Sequence, residues 1–359
     1  KGKHVGLITN QTGIDRNGKR SIDVLRAGGV DLVALFSPEH GINGTEDRPD
    51  IGDSKDSASG LPVWSLYNNG KYRMTPEMLK GVDTVLFDIQ DVGARYYTYS
   101  CTMLYALEES AKAKVAFWVL DRPNPVTGDH ADGPMLDDSL HSNVGCYSLP
   151  VRHGLTMGEL ATMANAERKF GASLNVVKMK NWARFDWFDS TNLAWIDPSP
   201  NMRSLNAATL YTGLALIESS KNLSVGRGTD SPFEQIGADF IDPLKFAEFL
   251  NGRLIPGVRV YPTRFTPKDS NFKGQSIGGV RFVITDREAL SSVQLGLEVA
   301  YALQTLYPGK IDFEASRLLL GNRKVIDALK VGTDPRDLAA MLHAGVASFE
   351  ARRQPFLLY

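Results

Sequence analysis

Val33-Ala34-Leu35-Phe36-Ser37-Pro38-Glu39-His40-Gly41-Ile42-Asn43-Gly44 begins as an apolar run and ends in a proline followed by two glycines. Val33–Phe36 reads as a buried strand. Pro38 stops it, and Gly41 and Gly44 permit backbone conformations that other residues resist. Glu39 and His40 therefore lie in a loop just past a strand's carboxyl end. Ligand crevices of open α/β sheets form at that edge, and two adjacent titratable groups there can supply acid–base chemistry. A plainer reading stays open on these residues alone: a polar connection with a solvated Glu and a His bonded to backbone.

On the amino-terminal side, Val5–Thr9 reads as a first strand and Asn10–Lys19 as a polar loop. Ser21 is placed to cap a helix with Ile22, Leu25 and Ala27 inward, ended by Gly28-Gly29. With Leu32–Phe36 as second strand, this order implies a right-handed parallel crossover. The first loop offers only Gln11-Thr12-Gly13 and Gly18, too sparse for a dinucleotide fingerprint. The sheet is expected to be Rossmann-like in shape only.

On the carboxyl side, Thr45–Gly60 carries Glu46, Asp47, Asp50, Asp53 and Asp56. It reads as a solvated loop or as a lid over a site, and it lacks the terminal Glu of a calcium loop. Leu61–Tyr67 is extended, and Thr75-Pro76 predicts a helix start. Val82–Asp88 is a third strand. It runs into Asp88-Ile89-Gln90-Asp91-Val92-Gly93-Ala94-Arg95-Tyr96-Tyr97-Thr98-Tyr99. Flat aromatic faces beside Arg and Asp suit a sugar or a similar polar ring. The alternative is an Asp–Arg pair bracing the loop, with tyrosines packed between domains. A helix over Thr102–Ala113 precedes a fourth strand, Val115–Leu120, which ends in Asp121-Arg122-Pro123-Asn124-Pro125. Charged groups at three strand ends, Glu39-His40, Asp88/Asp91 and Asp121-Arg122, predict a converging cleft; a local Asp121–Arg122 ion pair is the competing reading.

His130 and His141 read as surface histidines. Arg152-His153 precede Thr156 and Glu159, a capping-box pattern opening a helix over Glu159–Arg168. An Arg at that position can hold an anionic group. Leu174–Met179 is a further strand, and Trp182, Phe185, Trp187, Phe188 and Trp195 read as packing. Asp197-Pro198-Ser199-Pro200-Asn201 is the linker candidate, dividing the chain into residues 1–200 and 201–359. A helix over Ala207–Ser219 leads to Asn222–Glu234. There Gly226-Arg227-Gly228 leaves the backbone bare around one guanidinium, for a ligand or for a turn with Arg227 braced on Glu234. Helices Pro243–Leu250, Ala289–Leu306 and Pro335–Arg352, with strands at Val258–Phe265 and Gly279–Ile284, complete a smaller α/β (α+β) domain.

The 359 residues suffice for two domains, with 43% hydrophobic and 23% charged residues. A net charge of −1 offers no basic surplus for nucleic acid. No run approaches the roughly 20 apolar residues that span a bilayer. Cys101 and Cys146 form no CxxC and no Cys/His cluster, which argues against zinc. They read as buried thiols rather than as a pair. The chain opens at Lys1 rather than at methionine, as after removal of a leader, so the lack of a signal peptide is silent on destination.

Pro38–Gly41, Gly60–Tyr67, Asp88–Tyr99, Asp121–Pro125 and Asn222–Thr229, in that order, resemble the NamZ family of exo-β-N-acetylmuramidases over nearly the whole chain. Thr45–Ser59 departs from the resemblance, being more irregular and acidic. The resemblance implies a Rossmann-like N-terminal catalytic domain with a mostly parallel sheet, and a C-terminal domain closing the cleft. It implies hydrolysis that releases terminal non-reducing N-acetylmuramic acid from peptidoglycan fragments, with muropeptides or disaccharides as partners. No cofactor or metal is expected, and a periplasmic or secreted location is. On this reading Glu39 is the general acid/base and His40 tunes or orients it. Asp91 or Asp88 is the partner carboxylate or the orienter of an acetamido group. Tyr96 and Tyr97 line the sugar pocket, and Arg95, Arg152 or Arg227 pairs with the lactyl carboxylate. Gln90, Arg122, Asn124, Asn222 and Glu234 complete the substrate-binding set. The rival readings are a protein that captures muropeptides without cleaving them and a nucleotide-dependent oxidoreductase or transferase, the latter opposed by the missing glycine fingerprint.

Overall fold

The structure is a computed structural model that describes residues 2–359. Its first half runs β1 (His4–Thr9), α1 (Ser21–Ala27), β2 (Asp31–Ser37), β3 (Ser54–Lys55), β4 (Pro62–Ser65), β5 (Thr84–Asp88), α2 (Tyr99–Lys112), β6 (Ala116–Leu120), α3 (Met157–Glu167) and β7 (Leu174–Val177). The second runs α4 (Leu205–Leu214), β8 (Gln235–Ala238), α5 (Pro243–Gly252), β9 (Val258–Phe265), β10 (Ile277–Ile284), α6 (Ser292–Leu306), α7 (Arg317–Leu320), α8 (Arg323–Lys330) and α9 (Pro335–Arg353).

The first seven strands form one sheet in the order β3-β4-β2-β1-β5-β6-β7, parallel except for β3. Side chains alternate across it as strand geometry requires, except at a register irregularity in the β1–β2 pair, which puts Leu32 and Leu35 on one face. Val5, Leu7, Leu32 and Leu35 pack with Ile22 of α1 on one face. Ile8, Phe36, Val85 and Phe87 join the main core on the other, with Leu104 and Leu107 of α2. β5 is buried along its whole length, as a central parallel strand must be. From β1 the chain grows outward to β2 on one side and returns to β5 on the other, so the sheet's switch point lies between β1 and β5.

The second half carries a three-stranded antiparallel sheet, β8-β10-β9. Where α4 crosses α6 the backbones touch. A Cβ on Gly213 would stand 1.7 Å from the Ser292 carbonyl oxygen, and one on Gly296 would stand 2.2 Å from that of Gly213. The lack of a side chain at Gly213 and at Gly296 is thus a packing requirement.

The expected architecture is the observed one: a mostly parallel α/β sheet plus a smaller second sheet. Four local expectations change. Leu61–Tyr67 supplies a true sheet strand, β4, parallel to β2. Thr75-Pro76 opens only turns, because Gly81 at φ 75° ends the segment one turn later. Ser21 is the first helical residue and its hydroxyl bonds Asp88, not its own helix. Cys101 and Cys146 are a disulfide rather than free thiols: α2 lays Cys101 against the Cys146 segment with a Cα–Cα distance of 5.7 Å. The box of Thr156 and Glu159 caps α3 as read. Among the described residues no helix is long and apolar enough to cross a membrane.

The disulfide closes a loop across a sequence separation of 45 residues. Its removal, by reductant or by Cys101→Ala with Cys146→Ala, is expected to cost about 3 kcal/mol of stability. Chemical denaturation with and without reductant measures it, and coincident curves would show that the bridge contributes nothing.

Candidate active site

β2 ends at Ser37, and the chain turns at once to present Glu39 and His40 above the sheet edge. His40 sits at φ 69°, a left-handed conformation uncommon for a residue with a side chain. Its Nδ1 is 2.7 Å from the Glu46 carbonyl oxygen and donates to it. That contact sets the tautomer and leaves Nε2 as the free acceptor. Among the described residues no hydrogen bond joins His40 to Glu39. The Glu39 carboxylate accepts instead from the Thr98 hydroxyl, at 2.6 Å from Oε2. Tyr67 faces the same carboxylate; burial, and the Glu39 charge beside it, push its phenol above the usual range.

Glu39, His40 and Thr98 border a cavity of about 590 Å³, part of it open to solvent. Glu39, His40 and Asp47 form one side, and Tyr96, Tyr97 and Thr98 come from the loop after β5. The second half contributes Tyr211, Glu218, Arg227 and Phe233. The rings meet edge to face: Tyr96 and Tyr97 lie 5.2 and 5.8 Å from Tyr211, which lies 4.7 Å from Phe233. The buried Tyr97 hydroxyl has no hydrogen-bond partner in the protein.

Arg227 is the one arginine or lysine of the lining. Its Nη2 donates to Asp47 Oδ2 at 2.8 Å, and its Nη1 stands 3.9 Å from Glu218 Oε2. Glu218 Oε2 is buried and accepts no hydrogen bond. Burial pushes the Glu218 carboxyl up to about 6, against the opposing pull of Arg227. Glu218 is thus a third carboxyl group of the cavity, beside Glu39 and Asp47, and the sequence reading missed it. Its signal was present: it ends the nearly unbroken apolar run Leu210–Ile217, where a carboxylate has little water to face.

The other anticipated site residues are braces. Arg95 is buried and donates to the carbonyls of Pro134, Leu149, Leu319 and Leu320. Arg152, equally buried, donates to the Val126 carbonyl and the Thr127 hydroxyl. Burial lowers both guanidinium pKa values to about 10. Asp88 pairs with Arg122 at 2.6 Å, in place of the Asp121–Arg122 pair considered above. Asp121 accepts from Thr156, Gly158 and Tyr359. Gln90 donates to the Asp91 and Pro123 carbonyls, and Asn124 to that of Leu155. Asn222 bonds the Lys310 carbonyl, and Glu234 engages Ser204 and Arg281 rather than Arg227. Asp91 is buried outside the cavity lining; its Oδ1 accepts from the Gly93 amide at 2.7 Å and its Oδ2 has no partner. Glu39, His40, Tyr96, Tyr97 and Arg227 line one cavity; the others bond within the protein outside it.

A half-exposed carboxyl held by hydroxyls, a His with one free nitrogen, a lone Arg and an aromatic wall suit acid–base cleavage of a polar ring substrate carrying an anionic group. The chain matches the family models described as "Exo-beta-N-acetylmuramidase NamZ", N-terminal over residues 5–206 and C-terminal over residues 209–359. It is 42% identical over 364 residues to the peptidoglycan beta-N-acetylmuramidase NamZ of Bacillus subtilis, covering 100% of this chain and 87% of that protein. Two crystal structures of DUF1343 family proteins from Bacteroides fragilis share the fold. One has TM-score 0.92 at 35% identity and the other 0.81 at 29%; each match covers 100% of this chain and 94% of the other.

Burial raises the Asp91 pKa to about 7. The folded state then keeps a proton that the unfolded chain releases, so stability is lost as pH rises from about 4 through 7. Asp91→Asn keeps the acceptor for Gly93 and removes the charge. Relative to wild type it should gain up to about 4 kcal/mol between pH 4 and pH 8. Denaturation at the two pH values tests this; a difference that does not change with pH would contradict it.

Proposed function

The chain belongs to the NamZ family of exo-β-N-acetylmuramidases, and we propose that it is the glycosidase that removes terminal non-reducing N-acetylmuramic acid from peptidoglycan fragments. The observation that carries the residue assignments is the meeting of Glu39 and Arg227 across one aromatic-walled cavity. Protonated Glu39 donates to the glycosidic oxygen as the bond to the anomeric carbon breaks. The Thr98 hydroxyl, 2.6 Å away, and the facing Tyr67 phenol then stabilise the carboxylate that remains. A water bonds the anomeric carbon in place of the leaving oxygen, and His40, locked through Nδ1, offers Nε2 to take that water's proton. Arg227 receives the lactyl carboxylate, a task for which a forked guanidinium suits better than an ammonium. Glu218, deep in the opposite wall, is placed to face the acetamido side of the ring and to fix Arg227 from behind. Tyr96, Tyr97 and Tyr211 pack against the ring, with the Tyr97 hydroxyl free to bond it.

We place this activity in cell-wall turnover and recycling, outside the cytoplasm. The Cys101–Cys146 bridge supports that location, since such bonds persist in oxidising compartments.

Glu39→Gln keeps shape and removes the titrating proton. It is expected to lower kcat on a β-N-acetylmuramyl chromogenic glycoside by about 10²–10⁴-fold, with KM little changed. A folded Gln variant with full turnover would remove Glu39 from the acid role.

A further inference from the structure

We propose that Asp47 is an internal stand-in for the substrate carboxylate: it holds Arg227 while the cavity is empty, yields it to an acidic sugar, and takes it back to expel the acidic product. The proposal rests on the reading of Arg227 given above.

Two carboxylates face the Arg227 guanidinium, and they are not equivalent. Glu218 follows the buried turn at the end of α4, its side chain is 18% exposed, and it stands at 3.9 Å, beyond hydrogen-bond reach. It is part of the wall. Asp47 is 40% exposed and makes the direct bond, at 2.8 Å. It belongs to the stretch between β2 and β3, where no helix or strand fixes the backbone. Its other contacts are slight: Asn201 Nδ2 at 3.3 Å and His40 Nδ1 at 4.0 Å. The neighbouring Glu46 side chain is committed elsewhere, to exposed Arg48. Asp47 is therefore the exchangeable partner and Glu218 the permanent one.

The exchange is close to neutral in energy, because one charge-assisted pair replaces another. That matters for an exo-acting hydrolase of this type. Cleavage breaks the glycosidic bond and leaves the carboxylate on the released sugar. An Arg227 with no competitor would bind product as firmly as substrate. A tethered carboxylate at high local concentration competes for the guanidinium and shortens the product's stay. A neutral 2-acetamido sugar has no group to exchange and leaves the Asp47 pair in place.

The test is binding of N-acetylmuramic acid and of N-acetylglucosamine, by calorimetry and as inhibitors of turnover, to wild type, Asp47→Asn, Asp47→Ser, Arg227→Met and the Asp47→Asn/Arg227→Met double variant. Both Asp47 variants are expected to bind N-acetylmuramic acid at least five-fold tighter, with N-acetylglucosamine unchanged and the gain absent in the double variant. Unchanged or weaker N-acetylmuramic acid binding in both Asp47 variants, while Arg227→Met weakens it, would overturn the exchange and leave Arg227 in its role. Unchanged binding in Arg227→Met would instead overturn the Arg227 reading, and the exchange with it.

Discussion

The Arg95 guanidinium is the fastening on which the cavity depends. It is sealed from water, it has no carboxylate partner, and four carbonyl oxygens surround it: two from the first half of the chain, at Pro134 and Leu149, and two from α7, at Leu319 and Leu320. A buried cation is costly unless its donors are met, so the contact ties the loop after β5 to the second half. The fit leaves no slack: a Cβ on Gly321 would stand 2.4 Å from Arg95 Nη2. Tyr96, Tyr97 and Thr98 follow directly in sequence, and their positions inherit that constraint. Tyr96 donates to the Tyr211 carbonyl at 2.8 Å, extending the tie, and Thr98 holds Glu39. The Glu39 carboxyl is thus set by a hydroxyl whose place is set by a guanidinium outside the cavity lining.

Three carboxyl groups line the cavity, Glu39, Asp47 and Glu218, and their surroundings differ. Glu39 stands at the sheet edge among hydroxyl donors. Glu218 is held in the opposite wall, lifted to about 6 by burial. A raised carboxyl pKa means that the folded state gives up stability as pH climbs from the ordinary carboxylate range through 6, by about 2 kcal/mol for such a shift. A neutral side chain at position 218 would avoid that loss. Retaining the carboxyl there is the pattern expected where function outweighs stability.

What could be read from the sequence was what its neighbours decide. The strands of the parallel sheet, the Thr156–Glu159 box, and the prolines opening α5 and α9 all depend on residues within one turn. What could not be read depends on distant partners. The acceptors of Arg95 lie 39 to 225 residues away, and Cys146 lies 45 from Cys101. β4 reads only as an extended piece until β2 is beside it. An Arg set among tyrosines and aspartates has the same composition whether it binds a ligand or braces a loop, and only the location of carbonyl oxygens decides.

That ambiguity has a physical resolution at the sheet's carboxyl edge. The rule that polar residues past parallel strands mark a ligand crevice applies equally to Asp88, Arg122 and Glu39. At the switch point between β1 and β5, however, Asp88 is neutralised by Arg122 and bonded by Ser21, and the Gln90 amide is spent on two backbone carbonyls. The donors there are spent within the protein, although the buried Gln90 Oε1 accepts nothing. One strand over, beyond β2, capacity is left unspent: His40 Nε2 is free, the Tyr97 hydroxyl is unpartnered, and the nearest partner of Arg227 is an exposed aspartate on an irregular loop. Buried polar groups normally find partners within the protein. Arg95 Nε and Arg152 Nε also go without partners, but deep in the packed interior; around a hollow that opens to solvent, a ligand can supply what the Tyr97 hydroxyl and Glu218 Oε2 lack.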